Sequence, residues 1–338
     1  MSTRLLRAAA LFATTLFALP AHAQTQVRVG VIPVLGVAPI FVVDKEGLAK
    51  QAGFDLKFTT FESGPAMIQA LASGTLDIYV AGVAPLGVAR SKGIDIRVIT
   101  ATAIEEMTVA AGPKLAPYFK QGVTSAQALK DFKAATGKAA RLATQPPGSV
   151  PHTTLVHWLS EVIKADKSDY DIVPMGIDAT QQALLAGAVD GATIREPTDT
   201  IVQARNPAIK IVALGGEMFP NQPGTVVAVS GAFLGKNRDG VQKLVDALVK
   251  ADQLIKSDPK RVAPHVEAAI GKGIIETAII EKALVSPASK FTADPRVIME
   301  ATAKMQSYQV SIGTLEKDVP LDGLFDVSFY EKAVGNRQ

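Results

Sequence analysis

Apolar and polar positions follow the same order of periods in two separate parts of the chain. In the first part, "RVGVIPVLGVAP" begins as a strand and runs into a Gly- and Pro-rich turn, which is followed by the helical stretch "APIFVVDKEGLAKQAG" and a second strand, "DLKFTTF". In the second part the corresponding segments are "RLATQPPGSVPH", "TTLVHWLSEVIKAD" and "DYDIVPM". A further loop, helix and strand complete each part. The pattern predicts strand-helix-strand-helix-strand, twice.

The two parts also share residues in a gapless register. "QALASGTLDIYVAG" at 69–82 and "QALLAGAVDGATIR" at 182–195 have Gln, Ala, Leu, Gly and Asp at equivalent positions. Because one register holds across three consecutive elements, a duplicated architecture is favoured over a chance match. The predicted helix-ending glycines are Gly74 and Gly187, and the predicted turn or strand-start acids are Asp77 and Asp190. The last position differs, with Gly82 in the first part and Arg195 in the second.

The N-terminus and the composition limit the classes of function. Two arginines, a short apolar run and "AHA" at 21–23 are typical of a cleaved secretory signal, so residues 1–23 are predicted to be removed and the remainder exported. Lys+Arg 35 against Asp+Glu 32 does not indicate a nucleic-acid-binding surface. Cys 0 excludes disulfides, a lipid anchor and thiolate chemistry, and the histidine spacing matches no metal motif. We therefore expect no cofactor, no metal site and no catalytic residue.

The candidate site lies in six loops at the predicted carboxyl ends of the strands, where parallel α/β units bind ligands. These loops are rich in Gly, Pro and Ser, which suit helix N-termini and close approach of the backbone to a ligand. The candidate ligand-binding residues are Val34, Leu35, Gly36, Ser63, Gly64, Pro65, Gly82, Val83, Ala84, Gly148, Ser149, Val150, His152, Met175, Gly176, Arg195 and Glu196.

Among the candidate residues, Arg195 bears most directly on the chemical class of the ligand. Its guanidinium can fork onto a carboxylate or sulfonate of a ligand. The alternative is that it pairs with Glu196 or another acid across the cleft without touching ligand. Glu105 and Glu106, which follow the predicted strand "IRVITATA", are either contacts for a ligand ammonium or a solvated pair.

Four segments together resemble periplasmic substrate-binding proteins of ABC importers, in the nitrate/sulfonate/taurine/bicarbonate and thiamine-precursor group. These are "VRVGVIP", "FESGPAMIQALASGTLDIYVAGVAPLGVARSKGIDIRVIT", "GKAARLATQPPGSVPHTTLVHWLSE" and "MGIDATQQALLAGAVDGATIREP". The chain departs from the family at Arg195, where an aromatic or other bulky residue commonly precedes the acid and proline.

The resemblance implies an α/β type II periplasmic binding protein fold, with two α/β lobes joined by two crossover strands around a central cleft. We expect residues 24–110 and 226–338 in lobe 1 and residues 111–225 in lobe 2, with hinges near 108–114 and 224–231. The C-terminal helices are expected to pack on the outside of lobe 1.

The expected function is the capture of a small organic anion, a sulfonate or carboxylate, in the periplasm, by a monomer that serves the membrane permease subunits of an ABC importer. The alternatives are a binding protein for an uncharged heteroaromatic, such as a pyrimidine precursor of thiamine, and an enzyme built on the same fold. The absence of cysteine, of a metal motif and of a G-x-S-x-G elbow disfavours the enzyme.

Overall fold

Two five-stranded sheets, each covered by helices, form the core of two lobes. The computed structural model describes residues 24–271 and 275–335, so the predicted signal at 1–23 lies outside the described residues. The strands are β1 Thr25–Val31, β2 Phe54–Thr60, β3 Ile78–Gly82, β4 Ile96–Ala101, β5 Ala103–Ile104, β6 Thr108–Ala111, β7 Ala140–Thr144, β8 Tyr170–Pro174, β9 Gly191–Ile194, β10 Lys210–Leu214, β11 Thr225–Ser230 and β12 Lys290–Phe291.

The helices follow the strands in the alternation that the sequence predicts. They are α1 Ala38–Lys45, α2 Leu48–Gln51, α3 Gly64–Ala72, α4 Ala84–Ser91, α5 Ser125–Thr136, α6 Val150–His157, α7 Ile177–Leu185, α8 Thr198–Arg205, α9 Gly215–Met218, α10 Gly231–Ser257, α11 Pro259–Val266, α12 Thr277–Leu284, α13 Met299–Ser311 and α14 Ser328–Gly335. Across 24–271 and 275–335, none of these helices combines the length and the apolar character needed to cross a bilayer.

The two sheets have the same strand arrangement. The first lobe is built on the order β2-β1-β3-β11-β4 and the second lobe on the order β8-β7-β9-β6-β10. In each sheet the first three strands are parallel and the fourth is antiparallel to its neighbours. The antiparallel strands β11 and β6 are those by which the chain enters each lobe from the other. This arrangement confirms two α/β lobes joined by two crossovers.

The repeated phrase has one structural role in both lobes. Asp77 Oδ2 accepts the backbone N–H of Arg28 at 2.8 Å, and Asp190 Oδ2 accepts the backbone N–H of Arg141 at 2.9 Å. Each acid thereby links the start of the third strand to the first strand. Gly74 and Gly187 end the preceding helices in the left-handed region, with φ of 69° and 67°.

The first crossing lies slightly earlier in the chain than expected. The expected boundary at 110/111 falls inside β6, which pairs with β9 and β10 and so belongs to the second sheet. The chain returns through α9 to β11, which begins at Thr225 in the first sheet. All four residues of β6 are buried, and the connection that leads to it from β4 carries Glu105 and Glu106.

Helix α13 departs from the expected packing on the outside of the first lobe. Its Ala301 and Met305 belong to the apolar cluster that forms the core of the second lobe. The Tyr308 hydroxyl lies 2.8 Å from Ser160 Oγ of the second lobe, and the Tyr308 ring stacks edge-on against His157. Helix α13 therefore packs against both lobes, contacting α4 of the first lobe and α6 of the second.

Candidate functional site

A small cavity, which we call the cleft cavity, lies between the lobes at the carboxyl ends of β1, β3, β7 and β9. Its volume is about 10 Å³, room for roughly one water molecule. It is lined from the first lobe by Ile32, Ser63, Gly64, Gly82 and Pro85, and from the second lobe by Gln145, Ser149, Val150, Pro151 and Arg195. Six of the ten, namely Ser63, Gly64, Gly82, Ser149, Val150 and Arg195, are residues that the sequence singles out.

Two helices begin at the cleft cavity, one from each lobe. Ser63 caps α3, with its hydroxyl oxygen accepting the backbone N–H of Ala66 at 3.3 Å. Ser149 caps α6 in the same way, accepting the backbone N–H of His152 at 3.3 Å. The positive ends of the two helix dipoles therefore converge on one small space, an arrangement that favours negative charge.

Arg195 is buried beside the cleft cavity and is held by an acid. Its side chain is 7% exposed and that of Glu106 is 5% exposed. Arg195 Nη1 donates to Glu106 Oε1 at 3.0 Å, and the Thr225 hydroxyl donates to the same oxygen at 2.6 Å. Arg195 follows β9 in the second lobe, Thr225 opens β11 in the first, and Glu106 lies on the connection between them. The acid that pairs with Arg195 is thus Glu106, and of the two alternatives for Glu106 the solvated one is wrong.

Tyr79 is a residue of the site that sequence analysis missed. It is fully buried in β3, and its hydroxyl donates to the carbonyl oxygen of Gly82 at 2.7 Å. A Cβ on Gly64 would lie 2.7 Å from the Tyr79 hydroxyl, so this side chain lies directly beneath two cleft loops. Burial raises the pKa of Tyr79 and keeps the phenol neutral. The sequence does contain a signal for this residue, because Tyr79 carries the one side-chain hydroxyl in a strand that is otherwise apolar.

The other expected contacts lie around the cleft cavity. Leu35 and Gly36 line a small neighbouring cavity with Glu106, and Pro65 and Gly148 line an open groove of about 630 Å³. Val34, Val83 and Ala84 are buried in packing, Met175 packs on an apolar cluster, and Gly176 faces the Glu62 side chain.

His152 lies outside the cleft cavity, although its neighbours Val150 and Pro151 line it. Its Nδ1 atom is buried without a hydrogen-bond partner, and burial lowers the pKa of the imidazole, which keeps the ring uncharged. The remaining lining residues lie within the predicted loops but are not among the candidate ligand-binding residues: Ile32, Pro85, Gln145 and Pro151. Ile32 and Gln145 occupy equivalent positions of the repeat, so the register could have found both.

Three contacts hold the lobes together around the cleft. The backbone N–H of Leu35 donates to the carbonyl oxygen of Glu196 at 2.8 Å. Glu62 accepts the N–H of Ile177 at its carbonyl oxygen, 3.4 Å away, and the N–H of Asp178 at its carboxylate, 3.2 Å away. These bonds join loops of opposite lobes, so they form only when the cleft is closed.

Glu196 and Asp199 face away from the cleft cavity, toward a side cavity of about 370 Å³. The Glu196 carboxylate accepts the N–H and the hydroxyl of Thr200, and Asp199 Oδ1 accepts the hydroxyl of Thr108 at 2.7 Å. Burial raises the pKa of Glu196, and burial together with the Glu196 charge raises the pKa of Asp199 well above its ordinary range. Among the described residues, no group of three potential ligands is placed to hold a metal ion.

Replacing Asp199 with asparagine is expected to stabilise the protein relative to wild type increasingly as pH rises from about 4 toward 7. The unfolded carboxyl loses its proton above about pH 3.9, whereas the folded one retains it, so wild-type stability falls with rising pH over this interval. Asparagine cannot ionise and escapes this loss. Urea unfolding at several pH values measures the difference.

Asp77→Asn is the matched control for that pH series. Although burial alone would raise the pKa of Asp77, hydrogen bonds from Arg28 lower it, so the native carboxylate contributes stability that is lost as pH falls. The two asparagine variants should therefore show opposite pH slopes relative to wild type. Parallel slopes would contradict the assignment of Asp199 as a protonated buried acid.

Comparison with known proteins identifies the group to which the chain is related. Residues 21–270 match the sequence model of the NMT1-like family. A Brachyspira hyodysenteriae protein named as an ABC transporter periplasmic binding protein is 26% identical over 246 residues, which cover 72% of this chain and 68% of the relative.

Two solved structures show the same fold. The alkanesulfonate-binding protein SsuA from Xanthomonas axonopodis pv. citri, bound to MOPS, superposes with a TM-score of 0.71 at 19% identity, covering 90% of this chain and 99% of that one. The periplasmic nitrate-binding protein NrtA from Synechocystis PCC 6803 superposes with a TM-score of 0.75 at 13% identity, covering 93% of this chain and 89% of that one. The chain therefore has the periplasmic binding protein fold. The desulfurization enzyme DSZB also shares this fold. It superposes with a TM-score of 0.64 at 14% identity, covering 93% of this chain and 100% of that one. The same fold therefore occurs in binding proteins and in an enzyme.

Proposed function

This chain belongs to the NMT1-like family, and we propose that it is the solute-binding component of an ABC import system that captures a small organic anion between its two lobes. The observation that carries the proposal is the convergence of one buried guanidinium, Arg195, and two helix N-termini on a cavity lined equally by both lobes. The proposed ligand class is a sulfonate or a carboxylate.

The lining suits an anion attached to an apolar body. A guanidinium offers a planar fork to a carboxylate or sulfonate, and the N-termini of α3 and α6 supply neutral N–H donors. Ile32, Val150 and the two prolines offer apolar surface on the other sides of the cavity. Gln145 adds an amide that can donate and accept, which helps to orient the ligand.

Binding would proceed by closure of the lobes. With the lobes apart, the cleft loops admit the solute; contacts from both lobes to the solute then favour the closed form in which Leu35 meets Glu196 and Glu62 meets α7. We propose that the protein works in the periplasm, that membrane permease subunits read the closed shape, and that the ligand is released unchanged, without catalysis.

A thermal-shift screen of sulfonates, carboxylates and pyrimidines tests the ligand class. A ligand that binds only the folded state stabilises it by about 2.7 kcal/mol at a hundred times its Kd, so a true ligand should raise the melting temperature by several degrees. The expected result is a rise with an alkyl sulfonate or carboxylate, followed by saturable 1:1 heat in calorimetry and recovery of the ligand intact. A rise with pyrimidines alone would favour the uncharged heteroaromatic ligand, and turnover would establish an enzyme.

A further inference from the structure

We propose that Glu106 sets the charge of the ligand, so that the cleft prefers a monoanion over a dianion of the same shape. This inference rests on the proposed function, because it specifies which anions the site accepts. Glu106 does not itself line the cleft cavity, and it acts through Arg195, so it is a positioning and charge-setting residue.

Before any ligand enters, one ion pair sets the side-chain charge of the site. Of the ten described residues that line the cleft cavity, Arg195 is the one with a charged side chain. Its guanidinium lies 3.0 Å from the Glu106 carboxylate, and both side chains are more than nine-tenths buried. The pair therefore contributes a net charge of zero in a place where water does little to screen it.

Other ionisable groups lie near Arg195. Tyr79 is neutral, because burial raises the pKa of its hydroxyl. Asp199 and Glu196 line the side cavity instead of the cleft cavity, and burial raises the pKa of both carboxyl groups. None of these groups supplies the positive charge that an extra ligand charge would need.

The two helix N-termini supply the remaining positive charge at the cleft cavity. Each helix N-terminus behaves as roughly half a positive elementary charge, so α3 and α6 together offer about one. One ligand charge is therefore balanced in the closed cleft, and a second charge is left without compensation. With glutamine at position 106 the Arg195 charge would be released, and the site would balance about two ligand charges.

The test uses butanesulfonate and butylphosphonate, which share an alkyl chain and a tetrahedral head. The sulfonate stays a monoanion, whereas the phosphonate changes from monoanion in mildly acidic buffer to dianion in mildly alkaline buffer. The ratio of their dissociation constants, measured by calorimetry at both pH values, cancels the effects of pH on the protein that act equally on both ligands. In wild type the phosphonate should lose about tenfold or more relative to the sulfonate on becoming a dianion. In Glu106→Gln this loss should shrink or reverse.

Two further variants separate charge from structure. Glu106→Asp keeps the negative charge and should retain the wild-type preference. Glu46→Gln also breaks a glutamate–arginine pair, with Arg261, but on the outside of the first lobe, and it should leave the ratio unchanged. Melting without ligand checks that each variant folds.

Each outcome bears on the proposal. A wild-type ratio that does not change with pH, or a Glu106→Gln variant with the wild-type change, overturns the role of Glu106 while leaving the proposed function standing. Failure of wild type to bind either probe or any other organic anion overturns the proposed function and this inference with it.

Discussion

Replacing Arg195 with alanine is expected to weaken binding of an anionic solute by about 2–5 kcal/mol, roughly thirtyfold to several thousandfold. The guanidinium is 7% exposed and lies at the cleft cavity, so its contact with an anion would be made in a desolvated site. Arg195→Lys should recover little, because an ammonium does not reproduce the planar fork. Calorimetric titration with a ligand found in the thermal-shift screen measures both variants.

The same substitution also leaves a buried acid unpaired, so its effect on stability must be separated from its effect on binding. In Arg195→Ala the Glu106 carboxylate keeps the Thr225 hydroxyl but loses its cationic partner, and the melting temperature should fall. The double variant Arg195→Ala/Glu106→Gln removes both charges and should regain stability without regaining affinity. Arg205→Ala, at the exposed end of α8, is the control. Wild-type affinity in Arg195→Ala would confine Arg195 to its ion pair with Glu106.

The repeat explains why much of the architecture could be predicted from the sequence. A gapless register places equivalent loops at equivalent strand ends, and the matching bonds of Asp77 and Asp190 show that the register is structural. The same register places Gly82 and Arg195 at one pair of strand ends, on opposite sides of the cleft cavity. Capping chemistry predicted the N-termini at Ser63 and Ser149, because serine, glycine and proline have known local preferences.

Other features depend on packing between segments far apart in sequence, which a pattern of residues does not encode. The residues next to Tyr79 in its strand are apolar, and only the folded structure shows that its hydroxyl donates to the carbonyl oxygen of Gly82. The sequence gives Glu106 no visible partner. In the structure, the connection between the lobes places its carboxylate between Arg195 and Thr225. The sequence of α13 gives no sign of two partners, because one buried side of the helix, which includes Ala301, Met305 and Gln306, contacts helices of both lobes.

Placing a methyl group between the two lobes, with Gly82→Ala, is expected to weaken ligand binding by about 1–3 kcal/mol, the usual cost of overpacking. That energy corresponds to roughly fivefold to 150-fold in affinity. A Cβ at position 82 would lie 2.7 Å from Val150 Cγ2, across the cleft cavity in the opposite lobe. Since the clash arises only when the lobes meet, it raises the free energy of the closed form while each lobe keeps its own core.

Val150→Ala is the matched compensating change, because it removes the methyl group that the new Cβ meets and leaves Val150 Cβ at 3.2 Å, a contact that small shifts relieve. The double variant Gly82→Ala/Val150→Ala should therefore bind more tightly than Gly82→Ala alone, a coupling that a double-mutant cycle in calorimetry measures directly. The melting temperature without ligand should change little in Gly82→Ala, and it should fall to a similar extent in Val150→Ala and the double variant, because Val150 is a buried core residue. Unchanged affinity in Gly82→Ala, or equal affinities for Gly82→Ala and the double variant, would show that the lobes of the liganded protein do not come as close as the structure has them.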